Sequence, residues 1–392
     1  MPVWHDATQE LRKAGKLQLL GLIQEQHPDR CRLFAQWKGF DWPILVDSLN
    51  QLEVSVVPVA VLIDEQGVVR SVLRDPQKDL PRLTAEFDEW PNSPGAPAAE
   101  VDDGVRRAVD RARDLAYFEH EPRLSDALRA IDSELAERPG DGRLHFAMGT
   151  VYRIRYDSPQ RQPHDFQQAV DHWQKALDLN PNQYIWRRRI QQYGPRSEKP
   201  YPFYDWVAQA RHEIHARGDT PTGLSVEPAG AELAPPAKDL IVASGQFHGS
   251  PDPEGRITRD DTLVNVDTVV VPPRVAPGQT VRVHIVLQLN KGAEAHWNNE
   301  SDPMKVFVEP PTGWAASEQL IAPALSERPL SDETRRIEFE LRAPAAAQVA
   351  GVTRIPVSAF YNVCRASSGE CLYRRKDIDV LVALSTSNSH DP

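Results

Sequence analysis

Cysteine is scarce in this chain: 392 residues hold three, Cys31, Cys364 and Cys371. That excludes a disulfide scaffold but allows one bridge with one thiol left over. Basic charge is also short. The 45 Lys and Arg stand against 56 Asp and Glu, a formal net charge of −11. A general nucleic-acid binder needs a basic face, so this balance argues against one. No run of about 18 apolar residues occurs, so no transmembrane helix is expected. The residues before Trp4 carry neither a basic stretch nor an apolar core, so no signal peptide is expected within this chain. G-x-S-x-G, Walker A and G-x-G-x-x-G sequences are all missing. No hydrolase elbow, phosphate loop or dinucleotide fingerprint is therefore expected, and no cofactor.

Proline, by contrast, is abundant at 34 residues. It clusters with small and acidic residues at 90–103 and again at 219–239, where neither helical nor strand periodicity appears. Both stretches read as linkers. They divide the chain into residues 1–90, 104–218 and 238–385, and the length suits two or three domains.

The first segment alternates. Residues 6–14 read as helix, 17–23 as an apolar strand, 30–37 as helix and 43–47 as strand. Then Val59-Ala60-Val61-Leu62-Ile63 reads as a buried strand, followed by a turn at Asp64-Glu65-Gln66-Gly67 and a further strand at 68–70. This predicts an α/β domain with an antiparallel edge. The middle segment is helical and repetitive. Ala127, Ile131 and Pro139 recur at a constant offset as Ala169, Trp173 and Pro181. Ala169, Trp173 and Ala176 share one helical face, and Met148-Gly149 with Tyr152 supply the contacts of a preceding helix. The helices at 184–192 and 203–217 are expected to cap the stack. The third segment is strand-rich. Residues 280–289 and 336–341 alternate polar and apolar, 269–271, 305–308, 356–363 and 377–383 add strands, and Pro and Gly punctuate them. An antiparallel β-sandwich follows.

Cys364 and Cys371 flank the polar loop Arg365-Ala366-Ser367-Ser368-Gly369-Glu370, with apolar strands on either side. Facing positions at a hairpin mouth bring Cβ atoms close enough for a disulfide. Two readings stay open. The bridge is a staple worth about 2.5 kcal/mol by loop-closure entropy, or strain in so short a ring makes it exchangeable. Cys31 lies in Asp29-Arg30-Cys31-Arg32, where arginines favour a thiolate, against the plainer reading of a half-buried helix cysteine. His212 and His215 share a helix face, but without a third ligand they read as solvated, so no metal site is expected. His284 and His296 are given a surface or core role, and Trp186-Arg187-Arg188-Arg189 reads as a solvated helix face.

Three resemblances add to this. The middle segment resembles the tetratricopeptide repeat, lengthened by the loop at 156–163. That implies a concave surface for a peptide or protein partner. From about residue 270 onward, the chain resembles the N-terminal immunoglobulin-like domain of the thiol:disulfide interchange protein DsbD. The likeness rests on Lys291-Gly292, His296-Trp297-Asn298, Ser301-Asp302-Pro303, Pro311-Thr312-Gly313-Trp314 and the hairpin from Tyr361-Asn362-Val363-Cys364 to Cys371-Leu372-Tyr373. It implies that Cys364 and Cys371 are a redox pair acting on protein thiols and disulfides, although the loop between them looks one residue longer than in that family. Residues 1 to about 75 resemble a thioredoxin-fold redoxin of the TlpA/ResA type, through Val56-Val57-Pro58-Val59 and Asp64-Glu65-Gln66-Gly67. The resemblance implies a cis Pro58, with Val57 contacting substrate backbone. The CxxC of that family is missing, because Met1-Pro2-Val3 matches the helix that follows it. Truncation at an internal methionine is favoured over loss of the active-site end.

The fold class expected is therefore multidomain: an incomplete α/β thioredoxin-like domain, all-α repeats and an all-β immunoglobulin-like sandwich. The function expected is an extracytoplasmic or periplasmic thiol–disulfide oxidoreductase. The alternative is a non-enzymatic repeat scaffold with a structural bridge. A peroxidase would need a low-pKa cysteine near the start of the first helix, and none is present.

Overall fold

The alternating patterns produce a mixed α/β fold with several separate sheets. The computed structural model describes residues 2–75, 78–81, 103–242, 249–324, 326–345, 351–365 and 368–385. All of the first proline-rich stretch except Asp103 lies outside them. The chain divides into two compact units, each built from non-contiguous stretches. One comprises Met1–Asp157, Lys175–Arg188 and Tyr204–Glu227; the other comprises Ser158–Gln174, Arg189–Phe203 and Pro228–Pro392.

In the first unit, α1 (Pro2–Lys13) precedes a parallel pair, β1 (Gly21–Ile23) and β2 (Ile44–Val46), in which Gly21 faces Ile44. Between these strands runs α2 (Pro28–Lys38). Pro28 suits the first turn, where an N–H would lack a partner, and Gly39 ends the helix at φ +62°. Next come β3 (Ala60–Ile63) and β4 (Val69–Leu73), paired antiparallel. The Asp64 carboxylate shapes their turn by accepting the Gln66 and Val68 backbone N–H groups at 3.0 and 2.8 Å. The strand is not buried as its composition suggested. Val61 and Ile63 are 44% and 52% exposed, because among the described residues β3 pairs only with β4, and Leu62 and Leu73 of that ribbon pack with Leu80 on its other face. Among the described residues, the parallel and antiparallel pairs remain separate two-stranded sheets.

The helical part of this unit contains α3 (Gly104–Arg113), α4 (Leu124–Glu137) and α5 (Gly142–Tyr156). Asp103 caps α3 by accepting the Arg106 N–H at 3.2 Å, and Asp141 caps α5 by accepting the Arg143 N–H at 2.9 Å. Ala127, Ile131, Leu144, Ala147, Met148 and Val151 form one core, with alanines letting the helices approach. Two later helices, α6 (Asp165–Leu179) and α7 (Tyr184–Tyr193), each contribute one end to each unit. Finally, α8 (Trp206–Ala216) packs on α2: Phe34 meets Trp206 edge-on at 5.2 Å, and Trp37 stacks on it at 5.9 Å. The second proline-rich stretch is an ordered strap here rather than a free linker. Thr222 donates its backbone N–H and hydroxyl to Gln36, Ser225 donates to Asp29, and Arg30 donates to the Val226 carbonyl.

The second unit is dominated by two sheets sharing a core. One has the order β10 (Ala315–Ala316), β13 (Arg335–Arg342), β7 (Thr280–Leu289), β5 (Val264–Val271). The other runs β11 (Leu320–Ile321), β9 (Lys305–Val308), β14 (Gly351–Arg365), β15 (Cys371–Leu384), β6 (Arg274–Val275). In it, β8 (Ala295–Asn298) pairs with both β14 and β12 (Leu330–Ser331). Val281, Val283, Ile285 and Leu287 of β7 face Trp297, Val306, Ile355, Tyr361 and Val380 across the core. Period-two alternation puts Arg282 and His284 on the opposite face. That face is not solvated, since the residues are 8% and 5% exposed. Phe166 of α6 packs on His284 at 5.3 Å, and Gln167 accepts the Val270 N–H at 2.9 Å. The run Trp186–Arg189 also departs from a solvated helix face: Trp186 and Arg189 are each 4% exposed.

Candidate functional site

Cys364 and Cys371 are bonded as a disulfide between directly opposed residues of β14 and β15. The Arg365 N–H donates to the Glu370 carbonyl at 2.9 Å across the neighbouring pair. The cysteines therefore occupy a non-hydrogen-bonded position, where opposed side chains come closest. Three inward residues anchor this end of the sheet. Trp297 is fully buried, donates its indole N–H to the Glu333 carbonyl at 2.8 Å and meets Tyr361 edge-on at 5.5 Å. The Tyr361 hydroxyl donates to Asp260 at 2.6 Å. Arg335 lies over the Trp297 ring at 4.2 Å.

Register fixes what surrounds the bridge. Val363, Trp297 and Leu372 point into the core, so Cys364, His296 and Cys371 share the outer face. Asn362 and Tyr373, two pairs further along, lie on that face too. Asn362 donates to the Asp302 carbonyl at 3.1 Å, tying the Ser301-Asp302-Pro303 loop beside the hairpin. Burial raises the Tyr373 phenol above its usual range, helped by the Asp302 and Asp252 charges. Cys364 is only 6% exposed, whereas Cys371 is exposed.

The other sequence-selected residues fall elsewhere. The Val57–Pro58 peptide is cis, and both residues are exposed in the loop before β3. Cys31 is a buried free cysteine of α2, not an available thiolate. Burial pushes its thiol up, Glu25 and Asp29 push it further, and Arg32 opposes them. The flanking arginine effect is thus outweighed by desolvation. His212 and His215 are exposed on α8.

One feature was not legible in the sequence. Arg282 donates to Glu338 at 2.6 Å and to Glu340 at 3.2 Å, and His284 lies between Glu338 and the Tyr193 carbonyl. Gly230 passes so close to the Glu338 carboxylate, at φ +54°, that any Cβ there would overlap it. Lys199 donates to the Gln191 and Gln192 carbonyls at 2.9 and 2.7 Å, near the end of α7. The only sequence signal was the alternation that pointed Arg282 and His284 away from the core, and alternation does not say what covers the second face.

No protein-family model matches the chain, and no curated protein matches it significantly. Among solved structures it is similar to AvmM, which catalyzes macrocyclization in alchivemycin A biosynthesis. That likeness has 12% identity and a TM-score of 0.20, over 33% of this chain and 93% of AvmM. Spo0M, a sporulation control protein from Bacillus subtilis, gives 11% and 0.17 over 32% of this chain and 51% of Spo0M. A human ASH/PapD-like domain gives 10% and 0.15 over 33% and 88%. Scores this low do not amount to a shared fold, and none carries a function to this chain.

Proposed function

We propose that the protein is a thiol–disulfide exchange protein working through Cys364 and Cys371. The observation that carries this is the asymmetry of the bridge, with an exposed cysteine joined to a buried one on the outer face of β14 and β15. A partner thiolate attacks the Cys371 sulfur, the S–S bond breaks and Cys364 leaves as a thiolate. A second partner thiol then resolves the mixed disulfide. The partner dithiol is oxidised, and its two electrons and two protons end on Cys364 and Cys371. The reverse sequence oxidises this pair.

In this reading, residues 238–385 form the DsbD-like immunoglobulin domain that carries the pair. Residues 104–218 form the tetratricopeptide-like docking domain, and 1–90 the redoxin-like domain, with Val57 and Pro58 at its partner loop. The compartment is extracytoplasmic, where a disulfide persists. Among the described residues, no helix is long and apolar enough to cross a membrane.

The burial of Cys364 favours the competing reading, a structural staple in a repeat scaffold. Equilibration with a dithiol buffer of known potential separates the two. A potential above about −300 mV, with a mixed disulfide trapped on Cys371 in Cys364→Ser, is the result expected of an exchange site. A potential below that value, with no trapped adduct, removes the exchange function.

A further inference from the structure

The register that opposes Cys364 to Cys371 of β15 also opposes it to His296 of β8 on its other side. Cys371, Cys364 and His296 therefore form one row across three strands, on the outer face of the sheet. Residues so opposed hold their Cβ atoms about 4.5–5.5 Å apart, within reach of an imidazole ring. The next pair inward, Val363 with Trp297, is fully buried and fixes the backbone beneath the row. His296 itself is half-buried, and among the described residues its ring enters no hydrogen bond or ion pair. An imidazole thus stands beside the sulfur of the buried cysteine, held by its backbone and not by its ring.

The charges around the ring come from each neighbouring element. Leu330 faces Asn298 and Ser331 faces Trp297, so the continued register sets Asp332 across from His296 on the side away from Cys364. Glu294 immediately precedes β8. At the mouth of the hairpin Arg365 is already paired with Glu370 at 3.9 Å. Tyr373 shares the outer face, with the Asp302 and Asp252 charges and burial keeping its phenol protonated. Alternation along β15 puts Arg374 on the opposite face. Negative charge developing on Cys364 therefore has His296 as its source of an unpaired positive charge.

Histidine is the side chain that changes charge in the physiological pH range, so it can give or take a proton there. We propose that His296 is the proton-handling residue of this bridge. The inference rests on the exchange reading of Cys364 and Cys371. When a partner thiolate bonds to the Cys371 sulfur, the S–S bond breaks and its electron pair leaves on Cys364. The His296 imidazolium stabilises that thiolate and passes it a proton, which yields a thiol and a neutral imidazole. In the oxidising direction the neutral imidazole takes the Cys364 proton, and the thiolate attacks the mixed disulfide. A cationic histidine favours the thiolate, and a better-stabilised thiolate leaves faster.

The test is the rate at which dithiothreitol reduces the bridge in the full chain, followed from pH about 5 to 8 and divided by the reagent's thiolate fraction. Wild type is expected to be reduced about tenfold faster than His296→Gln at the acid end, with the gap closing toward the alkaline end. His296→Lys keeps a cation throughout this range, so it should retain the fast rate without the closing gap. The same pH profile in wild type and His296→Gln, both folded by circular dichroism, overturns this inference and leaves the exchange reading intact. A rate lost in His296→Lys as fully as in His296→Gln assigns the residue a packing role and overturns the charge argument. A bridge that resists the reagent in wild type and both variants, with a potential below about −300 mV, removes the exchange reading and the role of His296 with it.

Discussion

His284 Nδ1 lies 3.2 Å from the Glu338 carboxylate, with its other ring nitrogen 2.9 Å from the Tyr193 carbonyl. A strand residue that alternation assigns to an outer face thereby joins β7 and β13 to the end of α7, inside one unit. Burial alone would raise the Glu338 carboxyl, but the His284 and Arg282 charges outweigh it and hold the group at about 2. A carboxyl depressed on folding stabilises the native state fully above its ordinary value of 4.5, and that contribution fades as pH falls toward 2. Wild-type stability, read by urea denaturation, should therefore drop across that window. Glu338→Gln should flatten the drop. At neutral pH it should cost about 3–5 kcal/mol, because Arg282 is left buried without its main partner. An unchanged midpoint at neutral pH would show the pair to be energetically idle.

Lys199 runs the opposite way. Burial first, and then the Arg282 charge, bring its amine down to about 7 against an ordinary 10.5. Between those values the unfolded chain holds more protons than the folded one, so this residue makes stability rise with pH. Replacing it with methionine should reduce the slope of stability against pH between 7 and 10. Equal slopes in wild type and Lys199→Met would remove the argument.

The bridge between Cys364 and Cys371 closes a short loop, and its loss should cost about 2.5 kcal/mol. Cys364→Ser/Cys371→Ser should match the reduced wild type in thermal denaturation, with both melting below the oxidised protein. A double variant as stable as the oxidised chain would mean that the hairpin needs no staple.

Cys31 should resist iodoacetamide in the folded protein and react fully in denaturant. Two effects act together: it is 5% exposed, and its thiol is held protonated. Mass spectrometry after brief labelling reads the result, and stoichiometric native labelling would contradict the burial.

The residues that pack by period were legible without a structure. Ala127, Ile131, Ala169, Trp173 and Ala176 are all fully buried, as one helical face of small and large side chains requires. The cysteine pair was legible as well, because a polar loop between apolar strands dictates which residues oppose. What failed was the reading of a face by polarity alone. Val61 and Ile63 look like core but belong to a two-stranded ribbon with one face open, while Trp186-Arg187-Arg188-Arg189 reads as solvated although Trp186 and Arg189 are enclosed. Composition also marked residues 219–239 as a linker, although Thr222, Ser225 and Val226 within it are tied to Gln36, Asp29 and Arg30 of α2.

The amino-acid order by itself determined the local elements, the opposition of Cys364 to Cys371 and the apolar stripe of each long helix, since these depend on neighbours a few positions away. Only the tertiary structure decided which cysteine of the pair is exposed and what covers the second face of β7. Those outcomes depend on residues brought together from distant parts of the chain, and a period of two or 3.6 residues carries no record of them.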